Sequence, residues 1–266
     1  MKLSIITINL NNATGLLKTI ESILTQTFTE FELLVIDGGS TEENISIIRS
    51  YANKIKYWIT EPDNGIYNAM NKGIRQAKGD YCFFLNSGDY FANEFVLENI
   101  FAKEYDKDVI FGNLLVWFNN KFVGKSIGKE KLSFLDIYGS TIKHQATFIR
   151  KDLFIKFGFY NEKLRIVADW EFFIKTIGLG GASYKYLDID ISCFDNNGIS
   201  NNSSDLIAEE KKIVIETFLP AMMRSDYEFM LKYGNYKIIT KYRLTYLLLR
   251  IMAKGIKVFD KITYRR

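Results

Sequence analysis

Residues 61–89 leave this chain few ways to fold. A polar loop, Glu61-Pro62-Asp63-Asn64-Gly65, leads into a stretch with helical periodicity, Ile66 to Ala77. That stretch feeds an unbroken apolar run, Tyr81 to Leu85, which closes on Asn86-Ser87-Gly88-Asp89. A short apolar run bounded by turn residues reads as a strand covered on both faces. A carboxylate just past the carboxyl end of such a strand sits where open α/β sheets bind ligands. A lone acid on a glycine-containing turn suits a hard cation and the phosphates it carries.

The same alternation runs through residues 1–90. Lys2 to Ile8, Phe31 to Ile36 and Ile55 to Thr60 read as strands, and Thr14 to Thr27 and Thr41 to Tyr51 as helices. In the first helix Leu16, Leu17, Ile20, Ile23 and Leu24 recur at intervals of three and four, the mark of a core-facing stripe. Strand and helix alternating through short loops predict an α/β fold: a Rossmann-like, mostly parallel sheet covered by helices, with right-handed crossovers. After Asp89 the pattern is less regular. Phe95 to Phe101, Lys131 to Tyr138, Lys151 to Phe157, Asp169 to Ile177 and Ser203 to Leu219 read as helices. Val109 to Val116, turning at Asn119-Asn120 into Phe122-Val123, and Ala146 to Ile149 and Tyr184 to Cys193 read as strands.

Several function classes are excluded. The two cysteines, Cys82 and Cys193, lie in apolar runs and form no Cys-x-x-Cys spacing, so they read as buried thiols. A single histidine, His144, rules out a multi-histidine metal centre. No run approaches the ~18–20 apolar residues needed to span a bilayer. The apolar run after Lys2 is broken at Asn9, Asn11 and Asn12, so no secretory signal is expected. Neither G-x-G-x-x-G nor a P-loop occurs; Gly124-Lys125-Ser126 lacks the leading glycine. Phosphates bound here would need a metal instead.

If the first four strands share one sheet, Thr7, Asn9, Asp37 and Asp89 line a single crevice at their carboxyl ends. A fixed carboxylate such as Asp37 accepts only, which suits a base N–H or a ribose hydroxyl. Its neighbours Gly38 and Gly39 leave a plain turn role as the alternative.

The stretches Ser4-Ile5-Ile6-Thr7, Leu34-Val35-Ile36-Asp37-Gly38-Gly39-Ser40, Asp63 to Gly73 and Phe84-Leu85-Asn86-Ser87-Gly88-Asp89 closely resemble family-2 glycosyltransferases. The resemblance covers roughly residues 1–200 and implies the A-type glycosyltransferase fold. It implies that Thr7, Asn9, Asp37, Asp63, Asn64 and Gly65 hold the base and ribose of a nucleotide sugar. Ser87, Gly88 and Lys72 would serve the donor's phosphate end, and Asp89 would anchor Mg²⁺ or Mn²⁺. For Lys72 a solvated helix lysine is the alternative. The family often carries two or three acids at the metal loop; here Asp89 stands alone, which suits Mg²⁺ bound largely through substrate phosphates. Ala168-Asp169-Trp170-Glu171 resembles the family's Glu-Asp pair, with alanine in place of the glutamate. Asp169 would be the catalytic base, drawing the acceptor hydroxyl's proton as it attacks; a helix N-cap is its alternative role. His144, followed by Gln145, is expected near the donor diphosphate or the acceptor. The Gln-x-x-Arg-Trp sequence of processive synthases is absent, so one sugar per encounter is expected.

Charge is unevenly placed. Residues 231–266 hold ten bases and one acid, leaving 25 bases and 30 acids in the rest. Ile239, Leu244, Leu247, Leu248, Ile251, Met252, Ile256, Phe259 and Ile262 form an apolar stripe beside Lys241, Arg243, Arg250, Lys254, Lys257 and Lys261. A basic amphipathic helix of this kind lies on anionic bilayers; packing on the body or on a homodimer partner is the other home for the stripe. The division expected is a catalytic domain, residues 1–220, and a basic helical tail, residues 221–266. Residues 1–90 would take the donor and residues 91–220 the acceptor.

These readings converge on an inverting, metal-dependent enzyme at the inner face of the plasma membrane. It would move one sugar, UDP-linked in the donor, to a glycan or lipid-linked glycan. The rival is a membrane-tethered module that binds nucleotide sugar without chemistry. Nucleic-acid binding fits poorly, because the body is acidic and the stripe would go unexplained.

Overall fold

The computed structural model describes residues 1–119, 121–195 and 204–233. The chain divides into two compact units, Met1–Phe218 and Leu219–Arg266.

The first unit opens with the expected alternation: β1 (Leu3–Asn9), α1 (Ala13–Leu24), β2 (Phe31–Asp37), α2 (Glu42–Ser50), β3 (Tyr57–Thr60), α3 (Ile66–Gln76) and β4 (Tyr81–Phe84). It continues through β5 (Tyr90–Phe91), α4 (Val96–Phe101), the hairpin β6 (Val109–Phe118) and β7 (Lys121–Ser126), and α5 (Phe134–Gly139). A 3₁₀ turn at His144–Ala146 leads into β8 (Thr147–Arg150), α6 (Lys151–Phe157) and α7 (Ala168–Phe173). The helix then widens into a π-helical stretch, Ile174–Leu179, before β9 (Tyr184–Asp195) and α8 (Ser204–Phe218).

Among the described residues one nine-stranded sheet runs in the order β3-β2-β1-β4-β8-β6-β9-β5, with β7 on β6. β1 pairs in parallel with β2 and β4, β2 with β3, and β6 with β9. β8 is antiparallel to both β4 and β6, so β6 and β9 point the same way as β1 to β4. β5 and β7 also run against the majority. The expected mostly parallel sheet is present, and the departure from a pure Rossmann order lies in these three reversed strands.

Alternation of side chains explains why both faces are covered. On β1, Leu3 and Ile5 join one core and Ile6 the other; on β4, Phe83 and Cys82 divide the same way. The first core takes Leu16, Ile20 and Ile23 of α1 together with Val96 and Leu97 of α4. The second takes Met70 and Ile74 of α3, Phe154 of α6, Trp170 and Phe172 of α7, and Val214 of α8. Aromatic residues dominate the second core: Phe154 stacks on Phe172 with centroids 4.6 Å apart, and Tyr160 meets both rings edge-on. Both cysteines are buried and free, as their settings predicted.

In the second unit, α9 (Ala221–Tyr233) exposes Met222, Phe229 and Leu231. No described helix is long and apolar enough to cross a membrane. The proposed basic stripe, Ile239 to Ile262, lies outside the described residues.

Candidate active site

Strand direction sets the location. β1, β2, β3, β4, β6 and β9 all end at the same edge of the sheet, and the reversed β8 begins there. Asn9 and Asp37 end β1 and β2, the Asn86–Asp89 turn follows β4, His144 precedes β8 and Asp195 ends β9. Residues far apart in sequence therefore share one edge, where α/β sheets place their ligands.

At the β1–β2 end, Asp37 is fully buried. Asn9 Nδ2 donates to its Oδ1 at 2.7 Å, and Ser40 N–H and Thr60 Oγ1 donate to its Oδ2 at 2.9 and 2.6 Å. Burial alone would push its pKa up; the bonds from Ser40, Thr60 and Asn9 outweigh that and hold it lowered. Thr7 Oγ1 and Asn9 Oδ1 are buried nearby without hydrogen-bond partners among the described residues. The loop after β3 folds over this end. A Cβ on Gly38 would come within 2.6 Å of Asp63 Oδ2, so a side chain there would displace the Asp63 carboxylate. Asp63 Oδ1 accepts from Gly65 N–H at 3.2 Å, and the exposed Asn64 donates its N–H to Asn68 Oδ1. Gly65 has φ +108°, a backbone state that side chains resist. Lys72 is engaged within this loop: its Nζ lies 2.8 Å from Glu61 and 3.2 Å from Pro62 O.

The turn after β4 is clamped by α1. Ser87 N–H donates to Ile8 O, Ser87 Oγ to Asn12 O, and Asn12 Nδ2 back to Ser87 O. Thr19 Oγ1 accepts from Gly88 N–H at 3.0 Å and lies 2.7 Å from Asp89 O. Gly88 has φ +105°, which explains glycine at this position. Asp89 is 4 % exposed and accepts from Asp195 N–H at 3.4 Å. Burial pushes its pKa well up, and the nearby Asp195 charge adds to this while Lys18 opposes it. Asn86 Oδ1 is a buried oxygen without a partner. No cluster of three or more His, Cys, Asp or Glu side chains occurs among the described residues. A buried acid with a second acid beside it and an orphaned oxygen on the same turn fits a cation shared with ligand phosphates, as Mg²⁺ prefers.

The second centre is built around Asp169. Val167, not Asp169, precedes α7, so Asp169 is not its N-cap. Asp169 is 7 % exposed. Its Oδ1 accepts from Tyr67 OH at 3.1 Å and its Oδ2 from His144 Nδ1 at 3.0 Å. Burial alone would raise its pKa, but the His144 bond and charge, the Trp170 N–H and the Tyr67 hydroxyl bring it below the ordinary value. Tyr67 is itself held protonated, its pKa pushed well up by burial and by the Asp169 charge. Tyr67 also reaches Ile166 O at 2.5 Å. Trp170 packs in the core, 1 % exposed, with Nε1 donating to Ile137 O. Asp169 and His144 open onto a cavity of about 350 Å³ that Phe194 also lines. Phe194 precedes Asp195, which touches Asp89, so both acids border the same side of the molecule.

Four features escaped the sequence reading. Tyr67 lies inside the recognised 63–73 stretch, but nothing local marks its hydroxyl as a partner of a residue 102 positions away. Thr19 looks like an ordinary α1 residue. Glu210 on α8 is 4 % exposed and accepts from the N–H groups of Arg165, Ile166 and Val167 at 2.6, 3.0 and 3.2 Å, fixing the approach to α7. Lys143 and Lys211 line the cavity beside Asp169.

A carboxylate held below its ordinary pKa at a cavity rim therefore lies on the same side of the molecule as the strand-end acids. The sequence pattern of glycosyl transferase family 2 matches residues 4–166, and the chain belongs to this family. It is a glycosyltransferase. A "PGL/p-HBAD biosynthesis glycosyltransferase" of Mycobacterium bovis is 31 % identical over 209 residues, 76 % of this chain and 80 % of that protein. An "uncharacterized glycosyltransferase" of Mycobacterium tuberculosis is 32 % identical over 178 residues, 65 % and 68 % of the two chains. Among solved structures, S. aureus TarS 1-349 in complex with UDP-GlcNAc superposes with a TM-score of 0.62 at 24 % identity, over 74 % of this chain and 59 % of that one. The mannosyltransferase PcManGT from Pyrobaculum calidifontis, in complex with GDP-Man and Mn²⁺, gives a TM-score of 0.55 at 14 % identity, over 98 % and 86 %. This chain thus spans about 60 % of the TarS fragment.

Proposed function

We propose that this glycosyltransferase moves one hexosyl or N-acetylhexosaminyl group from a UDP-linked donor to a hydroxyl of a lipid-linked glycan, with inversion at the anomeric carbon. The observation that carries this is Asp169: a buried carboxylate, ionised by its Tyr67 and His144 contacts, at the rim of a cavity. The acceptor oxygen attacks the anomeric carbon, its proton passes to Asp169, and the electron pair of the breaking glycosidic bond leaves with the nucleotide diphosphate. His144 Nδ1 carries its hydrogen toward Asp169, because an ionised carboxylate only accepts. The imidazole then orients the base and spreads its charge.

Thr7, Asn9, Asp37, Asp63, Asn64 and Gly65 would cradle the base and ribose, in the half formed by residues 1–90. Ser87, Gly88 and Asp89 would meet the diphosphate, with Lys72 holding the 61–65 loop. Mg²⁺ or Mn²⁺ bound at Asp89 would stabilise the departing diphosphate as a Lewis acid. Residues 91–220 would take the acceptor. The basic tail, residues 221–266, would lie on the anionic inner face of the plasma membrane.

Two experiments test this. Wild-type protein with UDP-sugars and Mn²⁺ is expected to release UDP slowly, and Asp169→Asn to abolish release while keeping the donor-induced thermal shift. Turnover by Asp169→Asn at the wild-type rate would refute the base assignment. In flotation, the full chain is expected to bind anionic vesicles in a salt-sensitive way; no binding would remove the membrane reading.

A further inference from the structure

The cavity beside Asp169 has an unusual charge distribution. Lys143 and Lys211 both line it, and Asp169 is the sole carboxylate among its described lining residues. That carboxylate already accepts from Tyr67 and His144. No described residue forms a salt bridge with Lys143 or Lys211; Lys211 Nζ lies 5.0 Å from the centroid of the Trp170 ring. Burial and the neighbouring Lys143 charge lower the Lys211 pKa, the Asp169 charge opposes them in part, and the net shift is downward, so the two like charges stand close together and are not fully offset. Much of the remaining lining is apolar: Leu114, Val116, Phe194 and Ile207. Two neighbouring ammonium groups lining one cavity are satisfied by a dianion, and lysine is a common point-charge partner of phosphate. A single carboxylate on the ligand would leave one of the two charges unmatched.

Resting on the reading of Asp169 as the base that faces the acceptor, we propose that the acceptor carries a phosphoryl group. That group seats between Lys143 and Lys211, and the acceptor's apolar portion lies against Leu114, Val116, Phe194 and Ile207. The phosphate then fixes which acceptor hydroxyl reaches Asp169, so the two lysines select acceptors by charge and not by sugar identity.

Calorimetric titration of the full-length chain tests this with three probes: octyl phosphate below its micelle concentration, octyl glucoside and methyl phosphate. Octyl phosphate is expected to bind about tenfold or more tightly than octyl glucoside, the scale of a charge-assisted contact pair. In the Lys143→Gln/Lys211→Gln double variant this preference is expected to vanish, and in Lys143→Arg/Lys211→Arg to return. Octyl glucoside binding as tightly as octyl phosphate, or a double variant that keeps the preference, would overturn the proposal. Methyl phosphate matching octyl phosphate would overturn the apolar half and point to a phosphate borne on a polar molecule. UDP release by the wild type is measured on the same preparation. Its absence alongside intact octyl phosphate binding would refute the base reading and leave the anion site standing.

Discussion

Replacing Glu210 with alanine tests how the base is positioned. The Glu210 carboxylate accepts three backbone N–H groups from residues 165–167, at 2.6, 3.0 and 3.2 Å. Those residues lead directly into Ala168 and Asp169, and Ile166 O accepts from the same Tyr67 hydroxyl that contacts Asp169. Hydrogen bonds to a charged group contribute roughly 1.5–3 kcal/mol each, less when they share one acceptor, and an orphaned buried N–H costs about 1–3 kcal/mol. Val167 is 4 % exposed, so its N–H has little access to water once the carboxylate is gone. Glu210→Ala is therefore expected to destabilise the catalytic unit by about 2–5 kcal/mol, since these contributions overlap. That corresponds to roughly 4–20 °C in melting temperature for a unit of this size. Glu210→Gln keeps one acceptor oxygen and should cost about half as much. The measurement is urea denaturation together with UDP release at a temperature where all variants remain folded. Both variants should lose kcat more than donor affinity, because the donor site stands on other elements. An alanine variant within 0.5 kcal/mol of wild type, a typical margin for surface positions, and fully active, would refute the reasoning.

Tyr67→Phe removes a donor from Asp169, so the acid limb of the pH–rate profile should move to higher pH, with kcat down about tenfold, or ~1.4 kcal/mol. The stability Asp169 contributes has the matching sign: its folded pKa is depressed, so the contribution is full above the unfolded value near 4 and is lost as pH falls through the lower folded value. An unmoved acid limb in the Phe variant would count against Tyr67. Gly88→Ala should cost about 1–2 kcal/mol for a side chain at positive φ, and should weaken UDP–Mn²⁺ binding by displacing Asp89; unchanged calorimetric affinity would dismiss the turn's role. Asp89→Asn, or chelation of divalent ions by EDTA, should suppress UDP release, with manganese restoring only the chelated wild type.

The amount legible from sequence differs between the two halves for a physical reason. β1 to β4 are apolar runs bounded by turn residues, and helices α1 to α3 carry clear stripes, so local patterning alone marks them within two or three residues. In residues 91–195 the strands are irregular. The reversal of β8 is decided by pairing with β4 and β6, which no local pattern announces. The π-helical stretch after Phe173 likewise reads as ordinary helix from its apolar spacing.

The candidate site divides along the same line. Asp37, Asp89 and Asp169 were visible because each lies at an element's end, in the turn beside one or in a helix's first turn, in stretches resembling a known family. Their surroundings were not. Whether a carboxylate is ionised, clamped or free depends on side chains brought in from 25 to 102 positions away, as His144 and Tyr67 are to Asp169.

By itself the sequence determined the alternating elements, the two-sided burial and the acids at element ends, because those follow from periodicity and turn chemistry within a few residues. Tertiary structure alone decided that these ends share one edge, that Tyr67, His144 and Glu210 converge on the approach to α7, and that two lysines face a cavity beside the base. Those relations arise from chain reversals and long-range pairing, whose energy lies in contacts between segments and leaves no mark on any one of them.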